Sequence, residues 1–176
     1  MFRGVLEILD DQEIRYALIG ATALAIHGVS RSTADVDLLV DDSRVLDQGL
    51  WTSLRDGGAS IRIVRGDPDD PLLGAVRISS PQERTIDVVV IPGGWVRAIL
   101  ENTTTFPFAG TDVAVASASS LVLLKLYAGG PKDAWDIRAL LESQDEPDAL
   151  RADVDERVES MPAECRRLWA RLRKAG

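Results

Sequence analysis

Apolar positions recur at helical spacing from the first residues, where Phe2, Val5, Leu6 and Leu9 line one face of a predicted helix ending near Asp11. Tyr16-Ala-Leu-Ile19 is a short apolar run closed by Gly20, which reads as a first buried strand. Ala21 to His27 are mostly good helix formers, and Gly28 is placed to cap them. Asp35-Val-Asp-Leu-Leu-Val40 follows as a strand, and Asp41-Asp-Ser43 predicts the start of a helix reaching about Arg55, stopped by Gly57-Gly58. Ile61–Val64 and Ala75–Ile78 read as strands across the turn-rich Gly66–Pro71, and Thr85–Ile91 is the most continuous strand pattern in the chain. A helix within Pro92–Leu100 and a hairpin of Phe106–Phe108 with Val113–Val115 complete the front part.

From Ser117 the period becomes helical. Ser117 or Ser119 can cap Leu121–Ala128, Gly129-Gly130 ends that helix, and Pro131 opens another through about Leu141. An acidic stretch around Asp145–Glu159 and a basic one, Glu164–Lys174, read as two more helices. The expectation is an α+β fold: a mixed sheet with helices packed on one face. Residues 1–116 form the core and residues 117–176 a helical C-terminal subdomain, together one compact unit.

Composition narrows the chemistry. At 176 residues a sizeable core needs no disulfide or structural metal, and with one cysteine and one histidine no Cys/His zinc site can be built. A net charge of -8 argues against a surface that coats nucleic acid, though not against RNA held by a local patch. No stretch is long and apolar enough for a signal peptide or a membrane span, so no membrane partner and a cytoplasmic location are expected.

Candidate chemistry centres on Asp35 and Asp37. Two residues apart on a strand, they project from one side of the sheet, and such a pair is costly unless compensated. Asp87, early in the Thr85–Ile91 strand, brings a third carboxylate to the same place if the two strands are neighbours. Three hard oxygen ligands would then suit Mg²⁺ (Mn²⁺ as an alternative), with Asp87 the general base. The plainer reading of Asp87 is a salt bridge to Arg84 or Arg77. Gly20 before a helix lets a phosphate approach backbone N–H groups, and Thr22 would either donate to that phosphate or cap the helix.

The segments Ile19-Gly-Ala-Thr-Ala-Leu-Ala25, Arg31-Ser-Thr-Ala-Asp-Val-Asp-Leu38 and Ile86-Asp-Val88 together resemble the DNA polymerase β-like nucleotidyltransferase superfamily. Leu124-Lys-Leu-Tyr-Ala128 with Pro131-Lys-Asp-Ala-Trp-Asp-Ile137 is similar to its abortive-infection branch, which includes toxins of type IV toxin–antitoxin systems. The resemblance implies a transferase moving a nucleoside monophosphate from an NTP to an acceptor hydroxyl. It implies Asp35, Asp37 and Asp87 as catalytic metal ligands, and Gly20, Ala21, Thr22, Arg31, Lys125, Asp133 and Asp136 around the nucleotide. Ala21 departs from the serine or glycine usual after the leading glycine.

Alternatives stay open at several of these residues. Lys125 would contact phosphates or snorkel from a core helix, and Arg31 would hold a phosphate or pair with Asp35. Asp133 and Asp136 would position Lys125 or merely favour a helix N-terminus. His27 reads as a helix-end residue, and Trp135 and Trp169 as packing residues. Arg166, Arg167, Arg171, Arg173 and Lys174 offer either an RNA contact or a solvated face. The acceptor would be tRNA or a protein, with a cognate antitoxin as partner. The competing classes are an aminoglycoside-type small-molecule transferase, favoured by the acidic charge, and a non-catalytic binding or antitoxin-like protein.

Overall fold

A computed structural model describes residues 1–31 and 33–173; Ser32 and Lys174 of the motifs above lie outside them. Helix α1 (Phe2–Asp11) leads into β1 (Tyr16–Ile19), α2 (Gly20–Ile26) and β2 (Asp35–Val40). After a short helix, α3 (Thr52–Asp56), come β3 (Ser60–Arg65), β4 (Gly74–Ser79), β5 (Thr85–Val90), α4 (Gly94–Glu101) and the hairpin β6 (Thr103–Phe108) and β7 (Thr111–Ala116). Four helices follow: α5 (Ala118–Ala128), α6 (Pro131–Ser143), α7 (Pro147–Arg157) and α8 (Ala163–Leu172).

The seven strands form one mixed sheet in the order β3-β4-β5-β2-β1-β7-β6. β2 pairs in parallel with β5 and antiparallel with β1, so the strand carrying Asp35 and Asp37 lies beside the one carrying Asp87. Val36, Leu38 and Val40 share a fully buried face with Ile86, Val88 and Val90. That face is roofed by α1 and the 43–56 segment: Phe2 meets Val36 and Ile86 around one cavity, and Leu46 packs where Gly74 has no side chain. α5 lies on the opposite face, where Leu121, Leu124 and Lys125 border a cavity with Gly20 and Val89. Helices therefore cover both faces of the sheet, not one. The cause is legible in β2, where Leu38, Leu39 and Val40 are buried in succession, so both sides of the strand end must be covered.

Residues 43–56 also differ from the single helix expected of them. Ser43–Leu46 and Gln48–Trp51 are separate 3₁₀ turns, and only α3 is α-helical. The Asp42 carboxylate accepts from Arg44 N at 2.8 Å and the Asp47 carboxylate from Gly49 N at 2.8 Å. Such local bonds offer the backbone an alternative to the helix ladder, and Gly49 weakens the helix further. The buried Trp51 closes the segment by donating Nε1–H to Val45 O at 2.7 Å.

Helix α5 is apolar on nearly every side and buried accordingly. Ser117 Oγ accepts from Ser120 N at its start, and Gly129 ends it in the left-handed conformation, donating to Lys125 O at 3.0 Å. Trp95 of α4 packs at an angle against Tyr127 with ring centroids 4.9 Å apart, tying α4 to α5. No helix of the described residues is long and apolar enough to cross a membrane.

Candidate active site

Register builds the site. Asp37 lies opposite Asp87 in the β2–β5 pair, Asp87 opposite Arg77 in β5–β4, and Arg77 opposite Arg62 in β4–β3. A row of two arginines and two aspartates therefore crosses four strands on one face of the sheet, with Asp35 two residues from Asp37 on that face. Asp37, Arg62, Arg77 and Asp87 border a cavity of about 340 Å³. Val89 links it to an apolar cavity of about 360 Å³ whose far wall is α5, with Leu121, Leu124 and Lys125.

The three carboxylates share a face but do not converge as the sequence leads one to expect. Among the described residues no three carboxylate, histidine or cysteine side chains stand close enough together to hold a metal ion as they are. Arg77 engages two of the three instead. Its Nε donates to Asp87 Oδ1 at 2.8 Å and its Nη2 to Asp87 Oδ2 at 2.7 Å, while Nη2 also lies 3.7 Å from Asp35 Oδ2. These bonds hold the guanidinium firmly protonated, above its ordinary range. Arg84, the other partner considered for Asp87, borders cavities on the far side of α2 and on the buried face of the sheet instead.

Asp37 is left outside that bridge. Gly20 stands in the left-handed region with φ +66°, and a Cβ there would lie 2.0 Å from Asp37 Oδ2. The missing side chain thus makes room for a carboxylate, a close approach that the sequence suggested only for a phosphate. Burial raises the Asp37 pKa to about 6, the charges of Asp87 and Asp35 add to the rise, and Lys125 and Arg77 oppose it.

Across the cleft, Lys125 Nζ lies 2.8 Å from Asp133 Oδ1 and 2.8 Å from Asp136 Oδ2. Asp136 is buried, and Arg31 pairs with it from the loop before β2, not with Asp35. The aspartate spacing explains the arrangement: at i and i+3 in the first two turns of α6, both carboxylates lie on the side facing α5. Asp133 Oδ2 also accepts from Gly130 N at 2.9 Å, which fixes the turn between the two helices. Lys125 is therefore neither free in solvent nor unpaired in the core.

The remaining candidates divide. Gly20 borders the apolar cavity beside Lys125, whereas Ala21, Thr22 and Arg31 border a third cavity of about 530 Å³ on the other side of α2, with Thr33 and Arg84. Thr22 Oγ1 is buried without a hydrogen-bond partner among the described residues, and it does not cap α2. His27 is a helix-end residue whose Nε2–H donates to Ala116 O at 2.9 Å. Trp169 is a packing residue, donating to Asp155 Oδ1 at 2.6 Å, but Trp135 is 60% exposed and packs into nothing that buries it. The basic tail is largely committed internally: Arg166 donates to Glu159 O and Met161 O, Arg167 pairs with Glu164, and Arg173 with Asp155. Arg62 was absent from the sequence reading. Its signal lay in the alternation of β3, but placing it opposite Arg77 required the register across the 66–73 loop.

Residues 5–167 match the family described as nucleotidyl transferase AbiEii toxin of type IV toxin–antitoxin systems. The chain belongs to the AbiEii nucleotidyltransferase family. Solved structures agree in fold. The antibiotic-resistance factor ANT(2'')-Ia, in complex with adenylyl-2''-tobramycin, is 16% identical over 89% of this chain and 95% of its own, with a TM-score of 0.54. Lincomycin-bound LnuA, a lincosamide adenylyltransferase, is 16% identical over 81% of this chain and 96% of its own, with a TM-score of 0.50. No curated protein matches the sequence significantly. This AbiEii-family chain is thus a nucleotidyltransferase, and enzymes of this kind generally use an NTP and a divalent metal. Its donor set suits such an ion: three hard carboxylates on two adjacent strands, one cradled where Gly20 has no side chain.

Proposed function

We propose that this protein transfers a nucleoside monophosphate from an NTP to a hydroxyl of RNA, tRNA first, acting as the toxin of a pair with a cognate antitoxin protein. The observation that carries the reading is the register match of Asp37 with Asp87 beside Asp35, facing a cleft whose opposite wall holds Lys125. Asp35, Asp37 and Asp87 would hold Mg²⁺, which supplies positive charge to the transferring phosphoryl group when bound.

The chain's own residues do the rest. Lys125, fixed by Asp133 and Asp136, offers its remaining N–H to phosphate oxygens in a partly dry cleft, where one cation has a large effect. Asp87 accepts the proton of the attacking hydroxyl. The new bond forms between that oxygen and the α-phosphorus as the bond to pyrophosphate breaks, and pyrophosphate leaves. Arg62 and Arg77 favour an acceptor carrying phosphates over a polycation, despite the acidic whole. RNA binding against that net charge is therefore expected to be modest and to fall steeply with salt.

The test is incubation with each labelled NTP and total tRNA, and in parallel with an aminoglycoside and with a cell lysate. Label on tRNA that disappears in Asp37→Asn supports the reading. Label on the aminoglycoside alone would replace it with the small-molecule reading. No transfer from any NTP to any acceptor would favour a non-catalytic binding role.

A further inference from the structure

We infer that Arg77 is a built-in counter-cation that holds the metal-binding carboxylates closed to divalent ions and must release Asp87 before one can bind. The inference rests on the metal site proposed above and concerns what controls it. Arg77 makes a two-point contact with Asp87, at 2.8 and 2.7 Å, and reaches Asp35 at 3.7 Å. One guanidinium thus engages two of the three carboxylates, using the same oxygens that a shared cation would need. Each Asp87 oxygen accepts one N–H of Arg77, whereas Asp37, opposite it in register, has no part in the bridge.

The arrangement reads as a latch for three further reasons. Arg77 sits in β4 directly across from Asp87, so the contact is set by the sheet and needs no loop to form. Its side chain is 55% exposed, so the head can leave without unpacking the core. Arg62 lies beside it on the same cavity wall, which makes that wall a place where a freed guanidinium meets phosphate oxygens, its favoured bidentate partners. A divalent ion therefore competes with Arg77 for Asp87, and an arriving triphosphate competes with Asp87 for Arg77. Arg77 is a positioning residue that keeps Asp87 paired in the metal-free site and sets the site's affinity for metal.

Mn²⁺ affinity, read by electron paramagnetic resonance on the full chain without nucleotide, tests this directly. Arg77→Gln is expected to bind Mn²⁺ about tenfold more tightly than wild type, an ordinary coupling energy. Arg77→Lys, which keeps the charge but not the fork, should fall between and covers the case in which the glutamine variant does not fold. Arg62→Gln removes an equal charge from the same wall without touching Asp87, and should change affinity much less. Mg²⁺ added to wild type should also shift the ¹⁵N resonance of Arg77 Nε, which a purely structural ion pair would not show. Equal Mn²⁺ affinity in wild type, Arg77→Gln and Arg77→Lys would overturn the latch, as would equal tightening by Arg62→Gln. Mn²⁺ binding unaltered by Asp37→Asn would instead overturn the metal site itself, and the latch with it.

Discussion

Two charged clusters face each other across the cleft and are built on opposite plans. On the helical side, Arg31 and Lys125 meet Asp133 and Asp136, two cations against two carboxylates, with Asp136 buried among them. On the sheet side, Arg77 is the one ion-pair partner of Asp35 and Asp87 among the described residues, and Asp37 is left to carry its charge against burial. The first cluster is electrically complete, which would hold Lys125 in place for the phosphate role proposed for it. The second is short of positive charge and gains from a cation. One half of the site is finished by folding; on the function proposed, the other would be finished by its ligand.

Breaking the complete cluster should cost the most. Asp136→Ala leaves Arg31 and Lys125 with one carboxylate between them in a largely dry setting, and about 3–5 kcal/mol of stability should be lost. For a chain of this length that is roughly 10 °C in Tm, measurable by calorimetry or urea unfolding.

The incomplete cluster should answer in the opposite direction. An Asp37 carboxyl raised from 3.8 to about 6 makes the ionised fold costly by about 3 kcal/mol. Because the folded value is raised, the favourable state is fully present below pH 3.8 and is lost as pH rises through about 6. Asp37→Asn should therefore stabilise the metal-free protein at pH 8 by up to that amount and give no gain near pH 4, while abolishing transfer. Urea unfolding of both proteins at the two pH values would show it.

These differences mark how far the residues speak for themselves. The β2 and β5 strands and the shared face of Asp35 and Asp37 follow from alternation and apolar runs, as does α5 from its near-continuous apolar character. The neutralisation of Asp87 by Arg77 rather than Arg84 did not follow, because both arginines are close in sequence and only the β4–β5 register chooses. The Asp133–Asp136 spacing announces a common face, but it does not say that Lys125 and Arg31 pack against it. Residues 43–56 escaped because side-chain bonds from Asp42 and Asp47 outweigh a favourable helical pattern. Trp135 escaped because an aromatic at helical spacing says nothing about whether a neighbour covers it.

A smaller effect sharpens the role of the turn between the clusters. Gly20→Ala forces a side chain into the left-handed region and against Asp37 Oδ2, which should cost about 1–3 kcal/mol and weaken divalent binding by moving that carboxylate. Thermal unfolding together with Mn²⁺ titration separates the two consequences. The smallest effect belongs to charge pairs outside either cluster. Arg167→Ala removes an exposed partner of Glu164 and should change stability by less than about 0.5 kcal/mol in urea unfolding.

The difference between the clusters is tested most directly by urea unfolding of wild type and Asp37→Asn at pH 8, with and without saturating Mg²⁺ and a non-hydrolysable NTP. Without ligand, Asp37→Asn should be the more stable protein; with both ligands, wild type should overtake it, because only the intact carboxylate face gains a cation. If Mg²⁺ and nucleotide stabilise the two proteins equally, the sheet carboxylates are not completed by a metal ion and the account is wrong.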